Sequence, residues 1–181
     1  MHPKSTEDTE KLVKLFTNSF LTKNLETKER KTLADAMFVK KFAAGESIIQ
    51  YGDIGSEYFV LFKGSVRVTV YQPGANPFDP KLSEKISFQK ELHANPDVDP
   101  SIGMIGFGEI ALLYNDKRTA AITAITECET WVLTGECFKY IIAQNSIRRR
   151  NISLDFLNKV EMLKELEQYE KVKLIDGLTT L

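Results

Sequence analysis

From Phe38 onward the apolar residues of this chain stop recurring at helical spacing and begin to recur at every second position. That change of period limits the possible folds more than any other feature. Ser47–Gln50, Tyr58–Lys63 and Val66–Tyr71 are short runs rich in β-branched and aromatic residues, which suit a pleated, half-buried surface. Ala44-Gly45, Gly52-Asp53-Ile54-Gly55 and Lys63-Gly64 separate them, and glycine is what tight turns with positive φ require. Strand character resumes at Ser101–Gly106, Thr119–Ile125 and Glu129–Leu133. Several short strands at close spacing predict a β-barrel or jelly roll.

Helical patterns flank the strands. Residues 5–22 carry Leu12, Leu15, Phe16 and Phe20 at helical spacing, and Thr27–Met37 reads as a second helix with Thr27 as N-cap. From Gly135 the pattern is helical to the end, with Ile147, Leu154, Leu157, Val160 and Leu163 as an apolar stripe. Arg148–Arg150 reads as a solvated face of that helix rather than a nucleic-acid contact. Residues 72–100 hold five of the six prolines and read as an irregular insertion outside the barrel, replaceable by a short linker. Within it, Lys81–Leu92 is open to a short helix.

Composition narrows the function. A chain of 181 residues fits one compact domain with helical extensions. A net charge of -1 gives no global electrostatic argument for nucleic acid or an anionic membrane. No stretch approaches the ~20 apolar residues of a membrane span. Met1–Glu10 is polar and lacks the apolar run of a signal peptide, so a cytoplasmic location is expected. Cys128 and Cys137 lack metal-ligand spacing and read as free thiols. His2 and His93 are the only histidines, too few for a metal-dependent β-roll enzyme. There is no nucleophile–base pair or phosphoryl-transfer motif, so a non-catalytic chain with no cofactor is expected. No glycine turn leads to a basic recognition helix, which disfavours a helix-turn-helix regulator.

The informative segment runs from Phe107 to Ile122, Phe-Gly-Glu-Ile-Ala-Leu-Leu-Tyr-Asn-Asp-Lys-Arg-Thr-Ala-Ala-Ile. A glycine, an acid, a short apolar turn and an arginine entering a strand can enclose a small anion. Unpaired N–H groups at the start of a short helix suit a phosphate, and Gly108 lets backbone approach a ligand closely. Arg118 offers a planar fork of donors that stays charged. Glu109 suits a sugar hydroxyl, because a carboxylate aimed at a phosphate would repel it.

This segment resembles the phosphate-binding cassette of the cyclic-nucleotide-binding domain family. Ala44-Gly45-Glu46, Gly52 to Phe59 and Lys63-Gly64-Ser65-Val66 look like the family's first turns and next hairpin. The resemblance implies an α+β fold: an eight-stranded β-roll, a jelly-roll-like barrel, with N-terminal helices, a short phosphate-cassette helix and C-terminal connector helices. It implies a helical segment at 1–22, a nucleotide-binding domain at 23–145 with its insertion at 72–100, and connector helices at 146–181 leading to a further domain. It places the cyclic phosphate on Arg118 and the ribose 2′-hydroxyl on Glu109, with Phe107, Gly108, Ile110, Ala111, Thr119 and Ala120 around the ligand. Two readings stay open for Tyr169: a lid stacked on the base, or packing between connector helices. Trp131 reads as core.

Ser146–Arg150 followed by Phe156–Val160 and Leu166–Glu170 is similar to the connector of cGMP-dependent protein kinases and of cAMP-dependent protein kinase regulatory subunits. The implied function is a cGMP or cAMP sensor that relays occupancy through its C-terminal helices. The implied partner is a kinase catalytic domain or an adjacent nucleotide-binding domain. A cAMP-binding regulatory subunit, a transcription factor domain and a channel domain are the alternatives. In the family, Thr or Ser after the cassette Arg is frequent in cGMP readers and Ala in cAMP readers. Thr119 therefore favours cGMP through a hydrogen bond to the guanine 2-amino group, unless it is an ordinary strand residue. Such a bond contributes about 0.5–1.5 kcal/mol.

Overall fold

Ser5 starts the first helix: its hydroxyl accepts the Asp8 N–H at 3.0 Å, a cap that satisfies one of the unpaired donors of the first turn. In the computed structural model this helix, α1, spans Thr6–Asn18 and buries Leu12, Leu15 and Phe16. The residues described are 4–19, 22, 25–95, 97–99, 103–109, 117–163, 166, 170, 171 and 173–175. Helix α2 spans Thr27–Ala36. Its N-cap is Glu26 rather than Thr27, because the Glu29 carboxylate reaches back to accept the Glu26 N–H at 2.6 Å. Leu33 and Ala34 are its buried apolar residues.

Seven strands follow among the described residues: β1 Phe38–Phe42, β2 Ser47–Ile49, β3 Glu57–Tyr71, β4 Ile86–Ala94, β5 Ile105–Phe107, β6 Ala120–Ala124 and β7 Cys128–Thr134. Helix α3, Gly135–Lys159, comes next. All pairings are antiparallel, in the order β1-β7-β3-β6-β2, with β4 and β5 also on β3. This is the expected β-roll with helices, although the described strands number seven where eight were expected.

The missing strand boundary lies at Lys63-Gly64. The sequence suggests a hairpin there, yet β3 runs through it without reversing. Its first half pairs with β7 and β5, its second half with β6 and β4. The change of partners coincides with a register shift between Leu61 and Lys63 and with Gly64 at φ 100°. A bulge with a left-handed glycine bends a strand instead of ending it. Any side chain at Gly64 would also meet the Glu127 carbonyl, since a Cβ there would lie 2.4 Å from it. That bend rolls one long strand across two sheets around Phe59, Leu61 and Val66, each at most 1% exposed. Burying such side chains contributes about 1.5–3 kcal/mol each.

Residues 72–100 need correction too. They are not an irregular insertion outside the barrel. Ile86–Ala94 is strand β4, paired with Gly64–Tyr71 of β3, and the helical option survives only as a 3₁₀ turn at Leu82–Lys85. Apolar residues at Ile86, Phe88, Leu92 and Ala94 alternate, broken by Lys90. None of the five prolines falls inside that strand. They frame it instead, because proline cannot donate to a ladder.

The chain divides into two compact units, Met1–Lys139 and Tyr140–Leu181. In the second, Leu157 of the expected apolar stripe is buried while Ile147 is exposed, and Lys171 Nζ donates to Asn158 Oδ1 at 2.9 Å. Arg148 is exposed, in keeping with a solvated face. Cys128 and Cys137 are free thiols. Among the described residues no helix is long and apolar enough to cross a membrane.

Candidate functional site

Arg118 is fixed first through its backbone. Its N–H donates to the Asp53 carbonyl and its own carbonyl accepts from the Gly52 N–H, both at 2.8 Å. Lys117 beside it bridges to Ile54. The side chain is 8% exposed. Nη1 donates to the Gly108 carbonyl at 3.2 Å and Nη2 to the Glu57 carbonyl at 2.7 Å. Two glycines make the slot for the guanidinium: a Cβ at Gly55 would lie 2.2 Å from Arg118 Nε, and one at Gly108 would lie 2.7 Å from Nη1.

Burial pulls the Arg118 pKa down, and the nearby carboxylates of Glu57, Asp53 and Glu109 oppose that shift. A guanidinium remains charged regardless at neutral pH. Among the described residues its hydrogen bonds go to backbone carbonyls rather than to a carboxylate. A buried cation held this way keeps its charge available to an incoming anion, whose opposite charge adds an ion-pair attraction that neutral carbonyls cannot match.

The guanidinium lies on the wall of a cleft of about 290 Å³, near the lower end of small-molecule sites. Gly108, Glu109, Lys117, Arg118, Thr119 and Ala120 line it. Val68, Leu92 and Ile122, from three neighbouring strands, supply an apolar surface. Cations and a carboxylate beside an apolar surface suit a ligand with an anionic group, hydroxyls and a flat apolar body. A larger groove, about 570 Å³, lies along α1 and α2 between lysines, acids and threonines. It lacks a buried charged fork like that of Arg118, so the smaller cleft is the better candidate.

No family model matches the chain. A cAMP-dependent protein kinase regulatory subunit from Dictyostelium discoideum is 30% identical over 176 residues, which cover 97% of this chain and 48% of the relative. A solved structure described as cAMP-bound PfPKA-R is 31% identical with a TM-score of 0.59, covering 97% of this chain and 56% of that one. The cAMP-bound regulatory domain of Toxoplasma gondii PKA is 27% identical with a TM-score of 0.58, covering 96% and 59%. These matches over nearly the whole chain support a cyclic-nucleotide-binding domain. It spans between 40% and 48% of the length of four curated relatives that it matches.

Within this cyclic-nucleotide-binding domain, six residues singled out from the sequence line one cleft: Phe107, Gly108, Glu109, Arg118, Thr119 and Ala120. Ile110, Ala111 and Tyr169 lie outside the described residues. Phe107 is 7% exposed and stacked on Phe59 at 5.6 Å, so it serves the core as much as the cleft. Trp131 is core, stacked on Phe62 at 5.5 Å. Sequence reasoning missed Ile49, Val68, Leu92, Gly106, Lys117 and Ile122. The alternation in β4 is the signal that could have found Leu92. It also missed Gly55 as a wall of the arginine slot. Gly55→Ala is expected to displace the fork, at the ~1–3 kcal/mol typical of overpacking. Thermal melting should show that loss, and ligand titration a weaker affinity.

Proposed function

We propose that the chain is a non-catalytic sensor of a cyclic purine nucleotide, with Arg118 receiving the cyclic phosphate and Glu109 the ribose 2′-hydroxyl. The observation that carries this is the buried Arg118 fork at the wall of the cleft, bonded to carbonyls and flanked by Glu109 on the same cleft. The matched relatives are named as regulatory subunits of cAMP-dependent protein kinases, which supports a regulatory role toward a kinase. Calorimetric titration with cAMP and cGMP tests the reading: saturable binding of one to one stoichiometry is expected, and binding of neither overturns it.

The route from ligand to output follows from the same turn. Gly52, Asp53 and Glu57 bond Arg118, and the carbonyl of Ser56 between them accepts the N–H of Gly135, the first residue of α3. An anion that re-aims Arg118 therefore acts on the turn that anchors the start of the C-terminal helix. A ligand biases two arrangements only by its difference in affinity for them, and a shift from 1:99 to 99:1 needs about 5.5 kcal/mol. The kinase partner and the further domain implied by the connector are part of this proposal.

Base choice remains a finer proposal. The names of the relatives favour cAMP, whereas Thr119, exposed on the cleft, is the specific observation that favours cGMP. Thr119→Ala is expected to weaken cGMP by about 0.5–1.5 kcal/mol, roughly two- to twelvefold, and to leave cAMP nearly unchanged. Paired titrations of wild type and variant read this. An equal loss for both nucleotides places the hydroxyl on the shared phosphate, and no loss for either leaves cAMP as the reading.

A further inference from the structure

The loop between β3 and β4 is fixed by its own bonds. Gln72 N–H donates to the Lys85 carbonyl at 2.9 Å and closes its base. Inside, Phe78 N–H donates to Asn76 Oδ1 at 3.1 Å, Asp79 N–H to the Asn76 carbonyl at 3.0 Å, and Lys81 N–H to Asp79 Oδ1 at 2.9 Å. Asn76 thus bonds the two residues that follow Pro77. The loop also leans on the barrel. Tyr51 Oη donates to the Ala75 carbonyl at 3.0 Å, and the Tyr51 ring lies 4.7 Å from that of Tyr71. Pro77 sits directly on Gly52: a Cβ at Gly52 would lie 2.2 Å from Pro77 Cγ.

Gly52 is the residue whose N–H holds the Arg118 carbonyl, and its neighbour Asp53 accepts the Arg118 N–H. With φ at 83°, Gly52 occupies the left-handed region, which glycine enters freely and from which a glycine also leaves freely. Something must hold it there. Pro77 is suited to that, having a rigid ring and few conformations to lose on contact.

We infer that the Gln72–Lys85 loop is a buttress for the ligand site, with Pro77 as a positioning residue that acts on Arg118 through Gly52. The inference rests on the proposed phosphate role of Arg118 and extends it to a segment that does not line the cleft. The loop holds the turn, the turn holds the arginine backbone, and the fork is thereby aimed at the anion.

A double-mutant cycle tests this. cAMP and cGMP are titrated into wild type, Pro77→Gly, Arg118→Lys and the double variant, with amide exchange at Gly52 and Arg118 followed in each without nucleotide. Pro77→Gly is expected to weaken binding about three- to tenfold in the wild-type background and less than twofold beside Arg118→Lys, since residues linked through a shared backbone shift couple and independent ones add. Exchange at both amides should quicken. Tyr51→Phe, which removes only the bond to Ala75, should shift both readouts in the same direction by less. An equal loss in both backgrounds would show a merely structural role and overturn the inference, as would unchanged exchange. If wild type binds neither nucleotide, the functional reading fails. The amide exchange then still judges whether Pro77 holds the turn.

Discussion

Arg118→Lys is expected to weaken cyclic-nucleotide binding at least tenfold, which is about 1.4 kcal/mol, while the domain still folds. Lysine keeps the charge and loses the planar fork, so it acts as a point charge where bidentate geometry is needed. The structure adds a second cost. One ammonium on a flexible stem does not reproduce bonds to both Gly108 and Glu57 carbonyls, and a buried carbonyl left unpaired costs ~1–3 kcal/mol. A modest drop in melting temperature should accompany the loss of affinity. Calorimetry with either nucleotide reads the affinity, and a value within twofold of wild type would remove Arg118 from the phosphate role.

Replacing residues 74–98 with a short Gly/Ser linker is expected to cost ~3 kcal/mol or more and to weaken nucleotide binding. The sequence alone suggests the opposite, because loop length is thermodynamically cheap: each doubling changes closure entropy by only ~0.6 kcal/mol. What decides the matter is the strand inside the segment. Removing β4 strips a ladder from the second half of β3, uncovers Val66, which is 0% exposed, and deletes Leu92 from the cleft. Burial of a single such side chain contributes ~1.5–3 kcal/mol, so two of them outweigh any gain in loop entropy. For a chain of this size ~3 kcal/mol corresponds to a fall of roughly 6–12 °C in melting temperature. A variant that melts like wild type and binds with unchanged affinity would show that β4 adds nothing to barrel or site.

Gly64 and β4 show where legibility stopped. Gly45 and Gly52 mark turns, as their dipeptides suggest, and both have positive φ. Gly64 has the same conformation and the same local chemistry, yet it bends a strand instead of reversing it. The difference lies in long-range pairing: the residues after Gly64 continue as β3 against β4 and β6, whose partners lie up to about sixty residues along the chain. In β4 the alternation was present, but the prolines on either side carried more weight than the fifteen proline-free residues between them.

The sequence by itself determined which chemical groups the site has: the forked cation Arg118, the carboxylate Glu109, the close-approach glycine Gly108 and Thr119 after the arginine. These are adjacent or nearly so in the chain, and short-range chemistry is legible from spacing. Tertiary structure alone decided what surrounds them. Glu57, whose carbonyl holds the fork, is 61 residues from Arg118. Leu92 reaches the cleft only because β4 pairs with β3 in one particular register, and Pro77 meets Gly52 only because the loop folds back. Such contacts follow from strand register and loop closure, which depend on the whole set of long-range pairings; the alternation in β4 marks a strand but not its partner or register.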